Sequence, residues 1–309
     1  MAAPRRILLT GAGGFVGRHL VAALAARYPE AALLTDFLDV RDAAAVAAAV
    51  AAGRPDVCVH LAAVSTAAAA QRDEAHALAV NLHGTLHLAH AILRHVPQCQ
   101  LVFASTADAY GATNAAAPIG EDTPLAPRSA YAATKAAADL ALGSMAGHGL
   151  RVVRLRPFNH TGPGQSADLV IPAFARQIAR IAAGLQPPLL EVGNLDTWRD
   201  FLDGRDVCAA YVACIDQRDA LAPGTVLNIG SGEARRIGDV LAEMMTLAGV
   251  AADIRAEASR TRANDVTRAV ADAGRARALL GWAPALPWSQ TLRDVLDDWR
   301  ARVAAEAGR

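Results

Sequence analysis

The chain has 309 residues and a formal net charge of zero, because 30 lysines and arginines balance 30 aspartates and glutamates. A balanced charge disfavours nucleic-acid binding, which requires a basic surface to neutralise phosphates. Apolar residues make up 53% of the chain and charged residues 19%, so the chain can bury a large core and is not disordered. At roughly 150 residues per domain, the length predicts two domains or one large one.

The cysteines and the apolar segments indicate the compartment. The four cysteines show neither a disulfide framework nor the spacing of a metal site, which favours a reducing, cytoplasmic setting. The segment that begins at Arg5 superficially resembles a signal peptide, but Arg18, His19 and several glycines interrupt its apolar run. No stretch of about 18 apolar residues is free of charge, so we expect neither a transmembrane helix nor a membrane partner.

Short apolar runs alternate with helical stretches through the first half of the chain. The predicted strands are 6–10, 57–61, 100–104 and 151–155, and the predicted helices are 14–26, 42–51, 71–96 and 128–146. Strands that are apolar throughout are typical of a parallel sheet covered by helices on both faces. The pattern therefore predicts an α/β fold with a Rossmann-type, doubly wound parallel sheet.

The second half of the chain predicts a smaller, mostly α-helical lobe for the substrate. After residue 156 the alternation gives way to loops rich in proline and glycine. A strand at 225–229 is expected to rejoin the sheet, and helices follow near 236–248, 273–280 and 288–305.

Three histidines lie on one face of the helix predicted at 71–96. His83, His87 and His90 are spaced at i, i+4 and i+7, which could present imidazoles to a metal ion. No cysteine or carboxylate partner is suggested nearby in the sequence, so we interpret them as residues of a half-exposed helix and expect no metal site.

A glycine-rich loop follows the first predicted strand. Gly11, Gly14 and Gly17 form a G-x-x-G-x-x-G pattern between that strand and a helix. The first glycine permits a tight turn, the second lets the backbone approach a pyrophosphate, and the third lets helix and strand pack closely. The helix N-terminus stabilises the anion, so the pattern predicts dinucleotide binding.

The acidic residue that should follow about 20 residues later is ambiguous. Asp36 lies at the expected distance and would hold the adenosine ribose. The segment 30–42 is short for the usual strands and their connection, which favours a deleted tip with Asp39 and Val40 beside the adenine. Both readings leave the choice between NADH and NADPH open.

Tyr131 and Lys135 lie one helical turn apart, and Thr106 follows the strand at 100–104. Ligands of doubly wound sheets bind at such strand ends. An ammonium group beside a phenol can acidify it, and shifting a tyrosine pKa from about 10 to about 7 requires roughly 4 kcal/mol. Such a tyrosine can exchange a proton with an alcohol oxygen while a nicotinamide exchanges hydride with the attached carbon.

These motifs together resemble the extended short-chain dehydrogenases/reductases, the NAD-dependent epimerase/dehydratase family. The resemblance covers essentially the whole chain and is carried by TGAGGFVG, HLAA (60–63), NLHGTLHLA (81–89), STADAYG, YAATK and RPFNHTGPGQ. The segments VGNLDTWRDFLDGRDV (192–207) and GWAPALPWSQTLRDVLDDWR look most like the GDP-4-dehydro-6-deoxy-D-mannose reductase branch. The related GDP-mannose 4,6-dehydratases normally continue Phe-Asn-His with Glu-Ser-Pro, whereas this chain has Thr-Gly-Pro-Gly-Gln.

The resemblance implies a role for each matching position. It makes Thr106, Tyr131 and Lys135 catalytic, with the last two also touching the cofactor. The other implied cofactor contacts are Gly11, Gly14, Phe15, Val16, Gly17, Asp39, Val40, Leu61, Ala62 and Ala63. The implied substrate contacts are Thr106, Asp108, Asn159, Arg199 and Arg262. The usual Arg-Pro-x-Asp/Glu appears here as Arg-Ala-Asn-Asp at 262–265.

Two positions bear on the choice between reduction and dehydration. Asp108 stands where the family's dehydratases place a carboxylate for eliminating water, but reductases of the branch often carry an acid there too. Ala107, where glucose-type dehydratases usually have aspartate, disfavours elimination.

The expected reaction is the reduction, by NADPH or NADH, of the C4 ketone of GDP-4-dehydro-6-deoxy-D-mannose to GDP-D-rhamnose. The alternatives are a nucleotide-sugar 4-epimerase with tightly bound NAD, a reductase that gives GDP-6-deoxy-D-talose, and a non-catalytic dinucleotide-binding module.

The resemblance also implies a domain division and a homodimer. Residues 1–160 and 204–230 would form the dinucleotide-binding domain, and residues 161–203 and 231–309 the nucleotide-sugar domain. The helices at 71–96 and 128–146 would pair across a two-fold axis.

Overall fold

The computed structural model describes residues 3–111, 117–257 and 267–307. The strands are β1 (Arg6–Thr10), β2 (Ala32–Leu34), β3 (Val57–His60), β4 (Gln100–Ala104), β5 (Val152–Pro157), β6 (Asn159–Thr161), β7 (Leu189–Val192), β8 (Trp198–Asp203), β9 (Thr225–Ile229), β10 (Ala234–Arg236), β11 (Asp253–Ala256) and β12 (Arg268–Ala269). The α-helices are α1 (Phe15–Arg27), α2 (Ala43–Gly53), α3 (Ala67–Arg72), α4 (Glu74–Leu78), α5 (Thr85–His95), α6 (Ala130–Ala146), α7 (Val170–Ala182), α8 (Gly204–Asp216), α9 (Ile237–Ala248), α10 (Gly274–Leu280) and α11 (Trp288–Ala307).

Six parallel strands form the main sheet, in the order β2-β1-β3-β4-β5-β9. One face packs against α1 and α8 and the other against α2, α5 and α6, so both faces are covered. The predicted Rossmann-type fold is therefore confirmed. The chain order reverses beside β1 and β3, and the crevice at their carboxyl ends is where such sheets bind ligands.

The second lobe has its own core, built from α7, α9, α11 and the strand β7. The proline- and glycine-rich stretch after residue 156 contains short strands as well as loops. Of these, β6, β10 and β12 join β8, while β7 pairs with β11. Strands of two to six residues have too few positions for an alternating pattern to stand out in the sequence.

The segment around α10 packs against the first lobe. Ala273, Ala276, Leu280 and Trp282 belong to the core formed with α1 and α8, although the predicted domain division assigns 231–309 to the sugar lobe. The indole nitrogen of Trp282 donates to the carbonyl of Asp206 at 2.9 Å. The domain boundaries themselves stay a prediction.

The single helix predicted at 71–96 is divided in the structure. Asp73 ends α3 and caps α4, since its carboxylate accepts a hydrogen bond from the His76 amide. Residues Ala79–Gly84 then form a π-helical turn, a feature often found at functional sites. Gly84 permits this turn to lie against Val40, because a Cβ there would come within 2.5 Å of the Val40 side chain.

None of the helices in the described ranges is long and apolar enough to cross a membrane. All four cysteines are buried and free.

Candidate active site

The glycine loop makes a turn that only glycine adopts without strain. Gly11 has φ +74°, and a Cβ there would lie 2.7 Å from the Ala62 backbone nitrogen. A Cβ at Gly17 would overlap the Gly11 carbonyl oxygen, so Gly17 lets α1 pack on the loop. A Cβ at Gly14 would meet only that same oxygen, at 3.3 Å.

The N-terminus of α1 is suited to an anion. Its N-cap is Gly14, and no side chain of the described residues caps the helix there. The first amide groups of the helix, including those of Phe15 and Val16, are therefore left for a ligand. An uncapped helix end behind a glycine turn fits the pyrophosphate of a dinucleotide.

The ring of Phe15 has a structural role in addition to the predicted one. It stacks on His160 with the ring centroids 6.2 Å apart, and it fills the space that Gly162 and Gly204 leave open. The next turn of α1 reaches the same loop, since His19 Nε2 lies 2.8 Å from the Pro163 carbonyl oxygen. These contacts hold the glycine loop against the start of the second lobe.

Arg18 makes a second link between these loops. It donates to the carbonyl of Gly13 at 2.8 Å and to the carbonyl of Gly164 at 2.9 Å. The motif that predicts the glycine loop contains Arg18 and His19 but gives no sign of their partners, which lie about 145 residues away along the chain.

The residues predicted to line the adenosine end of the cofactor follow β2 and β3. Leu61, Ala62 and Ala63 come directly after β3 and are half-buried. Asp39 is paired with Arg41, whose guanidinium lowers the pKa of the Asp39 carboxyl to about 2. Val40 is buried against the π-helical turn, and its carbonyl oxygen lies 3.0 Å from His87 Nδ1.

The loop after β2 also carries the alternative ribose ligand. Asp36 follows β2 by two residues and is exposed. Among the described residues, no strand of the main sheet lies beyond β2. The residue that contacts the adenosine stays a prediction.

Thr106 and Tyr131 meet at the carboxyl end of β4. Tyr131 lies in the first turn of α6, which Ser129 caps, and it shares a hydrogen bond with the Thr106 side chain. Burial raises the pKa of the Tyr131 phenol and the charge of Asp108 raises it further, while the bond to Thr106 opposes the shift. In the protein alone the phenol is therefore protonated at neutral pH, contrary to the acidified phenol expected from the sequence.

Lys135 lies one turn further along α6 with only 3% of its surface exposed. Its ammonium nitrogen is 4.2 Å from the centroid of the Phe103 ring, within range of a cation–π interaction. Burial lowers the pKa of Lys135 to about 7, against an opposing effect of Asp139. Lys135 is also the only lysine among the 30 basic residues, a signal in the sequence that arginine does not serve at this position.

Asp139 anchors α6 to the sheet. It is fully buried and accepts hydrogen bonds from Arg154 at 2.9 Å and from Arg156 at 3.0 and 2.9 Å. The two guanidinium groups lower the pKa of the Asp139 carboxyl despite its burial. Because both arginines lie on β5, the pair holds the helix that carries Tyr131 and Lys135 in register with the sheet.

A buried string of polar groups, absent from the predicted site, joins β1 to α6. His60 Nδ1 lies 2.6 Å from the Thr10 hydroxyl, and His60 Nε2 lies 3.0 Å from the Thr85 hydroxyl. The Thr85 hydroxyl already donates to the Asn81 carbonyl, so it accepts from His60, which places the imidazole proton on Nε2. Burial and the Lys135 charge lower the pKa of His60 to about 3, so the ring is neutral.

The string continues through the π-helical turn to the catalytic helix. The Asn81 amide donates to the Thr134 hydroxyl at 2.9 Å, and that hydroxyl donates to the Tyr131 carbonyl at 2.8 Å. We define Thr10, His60, Thr85, Asn81 and Thr134 as the polar string. The motifs HLAA and NLHGTLHLA contain three of its members, but nothing in their spacing indicates that they touch.

Two of the predicted substrate contacts, Asn159 and Arg199, lie on neighbouring strands. Asn159 begins β6 and is exposed, and Arg199 lies on the adjacent β8 with its guanidinium 2.9 Å from the Trp198 carbonyl. Asp200 secures this strand, since its carboxylate accepts from the amides of Ser231 and Gly232. Arg262 lies outside the described residues, so its predicted contact is not placed.

Comparison with known proteins agrees with this geometry. A model of the NAD dependent epimerase/dehydratase family matches residues 7–230. A protein of Pseudomonas aeruginosa named GDP-6-deoxy-D-mannose reductase is 38% identical over 309 residues, covering 98% of this chain and 99% of that one.

Solved structures of the same kind superpose on nearly the whole chain. RMD from Pseudomonas aeruginosa complexed with NADPH has a TM-score of 0.89 and 36% identity, over 96% of this chain and 99% of that one. The UDP-glucose 4-epimerase of Thermus thermophilus complexed with NAD has a TM-score of 0.84 and 28% identity, over 96% and 99%. With a glycine loop, a Thr–Tyr–Lys site and a family match over most of its length, this chain belongs to the NAD dependent epimerase/dehydratase family.

Proposed function

We propose that this enzyme reduces the C4 ketone of GDP-4-dehydro-6-deoxy-D-mannose to GDP-D-rhamnose with NADPH or NADH. The observation that carries the proposal is the placement of Tyr131, which is hydrogen-bonded to Thr106 at the end of β4 and lies one turn of α6 from Lys135. Full-length similarity to a protein named GDP-6-deoxy-D-mannose reductase supports the substrate, and the NADPH bound to RMD supports that form of the cofactor.

Tyr131 acts as the acid in this scheme. NADPH, when bound, supplies a hydride to C4, and the emerging oxyanion takes the phenolic proton of Tyr131, so that a C=O group becomes CH–OH. Thr106 orients the ketone oxygen through its hydroxyl. A phenolate left on Tyr131 favours the charged form of Lys135, because an opposite charge stabilises an ammonium group. Water then returns the proton to Tyr131.

Local groups would hold the anionic ligands, since the chain has no net charge. The uncapped N-terminus of α1, with Gly11, Gly14, Phe15, Val16 and Gly17, would bind the pyrophosphate of NADPH. Leu61, Ala62, Ala63, Asp39 and Val40 would line the rest of the cofactor. Asp108, Asn159, Arg199 and Arg262 would face the nucleotide sugar.

A test of the reaction needs freshly prepared keto-sugar and both reduced cofactors. We expect consumption of NADPH or NADH in a one-to-one ratio with product, and tighter binding of GDP than of UDP or dTDP. No consumption of either cofactor would contradict the proposal. The H4 coupling in the NMR spectrum of the product separates GDP-D-rhamnose from GDP-6-deoxy-D-talose.

The epimerase alternative is kept because a UDP-glucose 4-epimerase superposes with a TM-score of 0.84. An epimerase oxidises and re-reduces the same carbon, so it needs no added reductant. Purified protein that carries stoichiometric NAD and interconverts C4 epimers would establish this alternative in place of the reductase.

Replacement of Tyr131 by phenylalanine tests its assignment. We expect Tyr131→Phe to lower kcat/KM by about 10²- to 10⁴-fold, the usual value of a positioned acid, while the Kd for NADPH changes little. Steady-state kinetics and cofactor titration check both. A variant with full activity would overturn the assignment of Tyr131, whichever reaction the enzyme catalyses.

We further propose a cytoplasmic homodimer. The four free cysteines agree with a reducing compartment. Leu140 on α6 and Leu78 on the adjacent α4 are 59% and 41% exposed, which favours a subunit interface on these helices.

A further inference from the structure

A cavity of about 530 Å³ lies at the edge of the main sheet opposite the active site. The cavity and the active site lie at opposite ends of β4. Gln100, at the start of the strand, lines the cavity, and Thr106 follows the end of the strand. Six steps of extended chain separate Gln100 from Thr106, a distance of roughly 20 Å. The cavity is within the size range of small-molecule sites.

Arginine side chains dominate the charge of this cavity. Arg5, Arg54, Arg151 and Arg218 line it, against the carboxylates of Asp56 and Asp219. The Asp56 carboxylate accepts hydrogen bonds from the backbone amides of Arg5 and Arg6. Asp219 forms an ion pair with Arg151 at 3.3 Å.

Two of these arginines have no charge partner among the residues that the structure describes. Within the described ranges, the guanidinium groups of Arg5 and Arg54 make neither a hydrogen bond nor an ion pair, although both residues line the cavity. A cavity with two unpaired guanidinium groups favours an anion, and phosphate matches their geometry.

Gln100 is a second, independent indication of a ligand. Its side chain is 97% buried, since only 3% is exposed, and its Oε1 atom has no hydrogen-bond partner among the described residues. A buried carbonyl oxygen without a donor is costly, and native proteins seldom retain one. A ligand that donates a hydroxyl hydrogen to Gln100 Oε1 would remove this cost.

We propose that the cavity binds a small phosphate ester that carries hydroxyl groups, the chemistry of a sugar phosphate. Its phosphate pairs with Arg5 and Arg54, and one of its hydroxyl groups donates to Gln100 Oε1. Pro4, Pro55 and Val96 give the cavity an apolar wall on which the carbon ring of such a ligand packs.

The test is calorimetric titration of protein saturated with NADPH and GDP, so that the anion sites of the active site are filled. The probes are a hexose 1-phosphate and inorganic phosphate. We expect the hexose phosphate to bind at least about tenfold more tightly than inorganic phosphate, because only it reaches Gln100. No binding of the hexose phosphate at about 10 mM, or equal affinity for the two probes, overturns the proposal.

Two variants and a control locate the binding. The double variant Arg5→Gln/Arg54→Gln should weaken the binding of the hexose phosphate by about tenfold or more. Arg293 is an exposed arginine on α11, and Arg293→Gln should leave the affinity unchanged. Gln100→Leu should weaken the binding of the hexose phosphate by about tenfold without changing the affinity for inorganic phosphate. Unchanged binding in the double variant or in Gln100→Leu contradicts the site.

The Gln100→Leu variant is also expected to fold. Its substitution removes an unpaired polar atom from a strand whose other residues are apolar, so its melting temperature should equal or exceed that of the native protein.

Discussion

Lys135 combines near-complete burial with a charge that the active site requires. Its ammonium group has the Phe103 ring and the more distant Asp139 as favourable neighbours, and burial still lowers its pKa to about 7. The neutral form of Lys135 is therefore accessible near neutral pH in the protein alone. A lysine whose pKa lies near 7 becomes protonated readily when an anion forms beside it.

The same residue makes a prediction about stability. The unfolded chain holds the Lys135 proton up to about pH 10.5, whereas the folded protein releases it above about pH 7, so stability rises with pH between these values. Burial of the charge thus costs most below pH 7. Lys135→Met should abolish reduction yet raise the free energy of unfolding at pH 6, by about 1–4 kcal/mol.

Denaturant unfolding at several pH values checks this expectation. The increase in the free energy of unfolding that Lys135→Met causes should be smaller at pH 9. The loss of the lysine does not leave Asp139 unpaired, because that carboxylate keeps Arg154 and Arg156 as partners. A variant that is less stable than the native protein at pH 6 would show that the lysine contributes more than its burial costs.

At the scale of single elements, the glycine loop offers a matched pair of substitutions. A Cβ at Gly17 would overlap the Gly11 carbonyl oxygen, whereas a Cβ at Gly13 would have no neighbour within 4 Å. Gly17→Ala should therefore shift α1 away from the loop and weaken NADPH binding by about 100-fold.

Fluorescence titration of NADPH measures both variants. Gly13 lies in the same loop, four residues before Gly17. Gly13→Ala should change the Kd for NADPH by less than about threefold, because its methyl group enters open space. Equal losses in the two variants would mean that loop flexibility, not the approach of helix and loop, governs cofactor binding.

The polar string connects β1, β3, the π-helical turn, α5 and α6 through hydrogen bonds. Thr134 is its last member, and Thr134→Val removes one hydrogen bond from Asn81 and one to the Tyr131 carbonyl while preserving shape. We expect a loss of about 1–3 kcal/mol of stability and a fall in kcat with little change in KM.

The control for that prediction is Thr246→Val on the exposed face of α9, which should alter stability by less than about 0.5 kcal/mol and leave kcat unchanged. If Thr134→Val changes stability but not kcat, the string supports the fold without positioning Tyr131.

At the scale of the whole molecule, two lobes meet across the active site. Phe15, Arg18 and His19 from the first lobe contact Gly162, Pro163 and Gly164 at the start of the second. The proposed chemistry lies beside this junction, since Tyr131 belongs to the first lobe and Arg199 to the second.

The proposed homodimer is tested at the exposed face of α4 and α6 in the first lobe. Leu140→Glu places a charge in the expected interface and should give a monomer in size-exclusion chromatography with light scattering. Leu185→Glu, a substitution at a leucine 42% exposed in the second lobe, should leave the dimer intact. A native protein that is already monomeric at micromolar concentration would contradict the dimer.

The sequence predicted the long, regular parts of the molecule well, because their patterns are local. The glycine loop, every strand of the main sheet except β2, and the helices α1, α9 and α10 follow directly from hydrophobic periodicity and glycine spacing. The pairing of Tyr131 with Thr106 was also accessible, because both follow from strand ends and helical spacing.

The rest depends on contacts between distant residues. Nothing in the sequence indicates that His60 reaches both Thr10 and Thr85, nor that Gly84 lies against Val40 in a π-helical turn. The upward shift of the Tyr131 pKa likewise depends on burial and on the charge of Asp108, which only the folded chain brings together.

The single lysine also makes the active site chemically addressable. Reagents that acylate or form imines attack neutral amines, and apart from the chain's own α-amino group Lys135 is the sole candidate. Its pKa of about 7 leaves much of it nucleophilic at neutral pH, where an ordinary surface lysine is almost fully charged. A small aldehyde phosphate should therefore modify one internal site, bound cofactor should shield it, and the labelled fraction should count active centres.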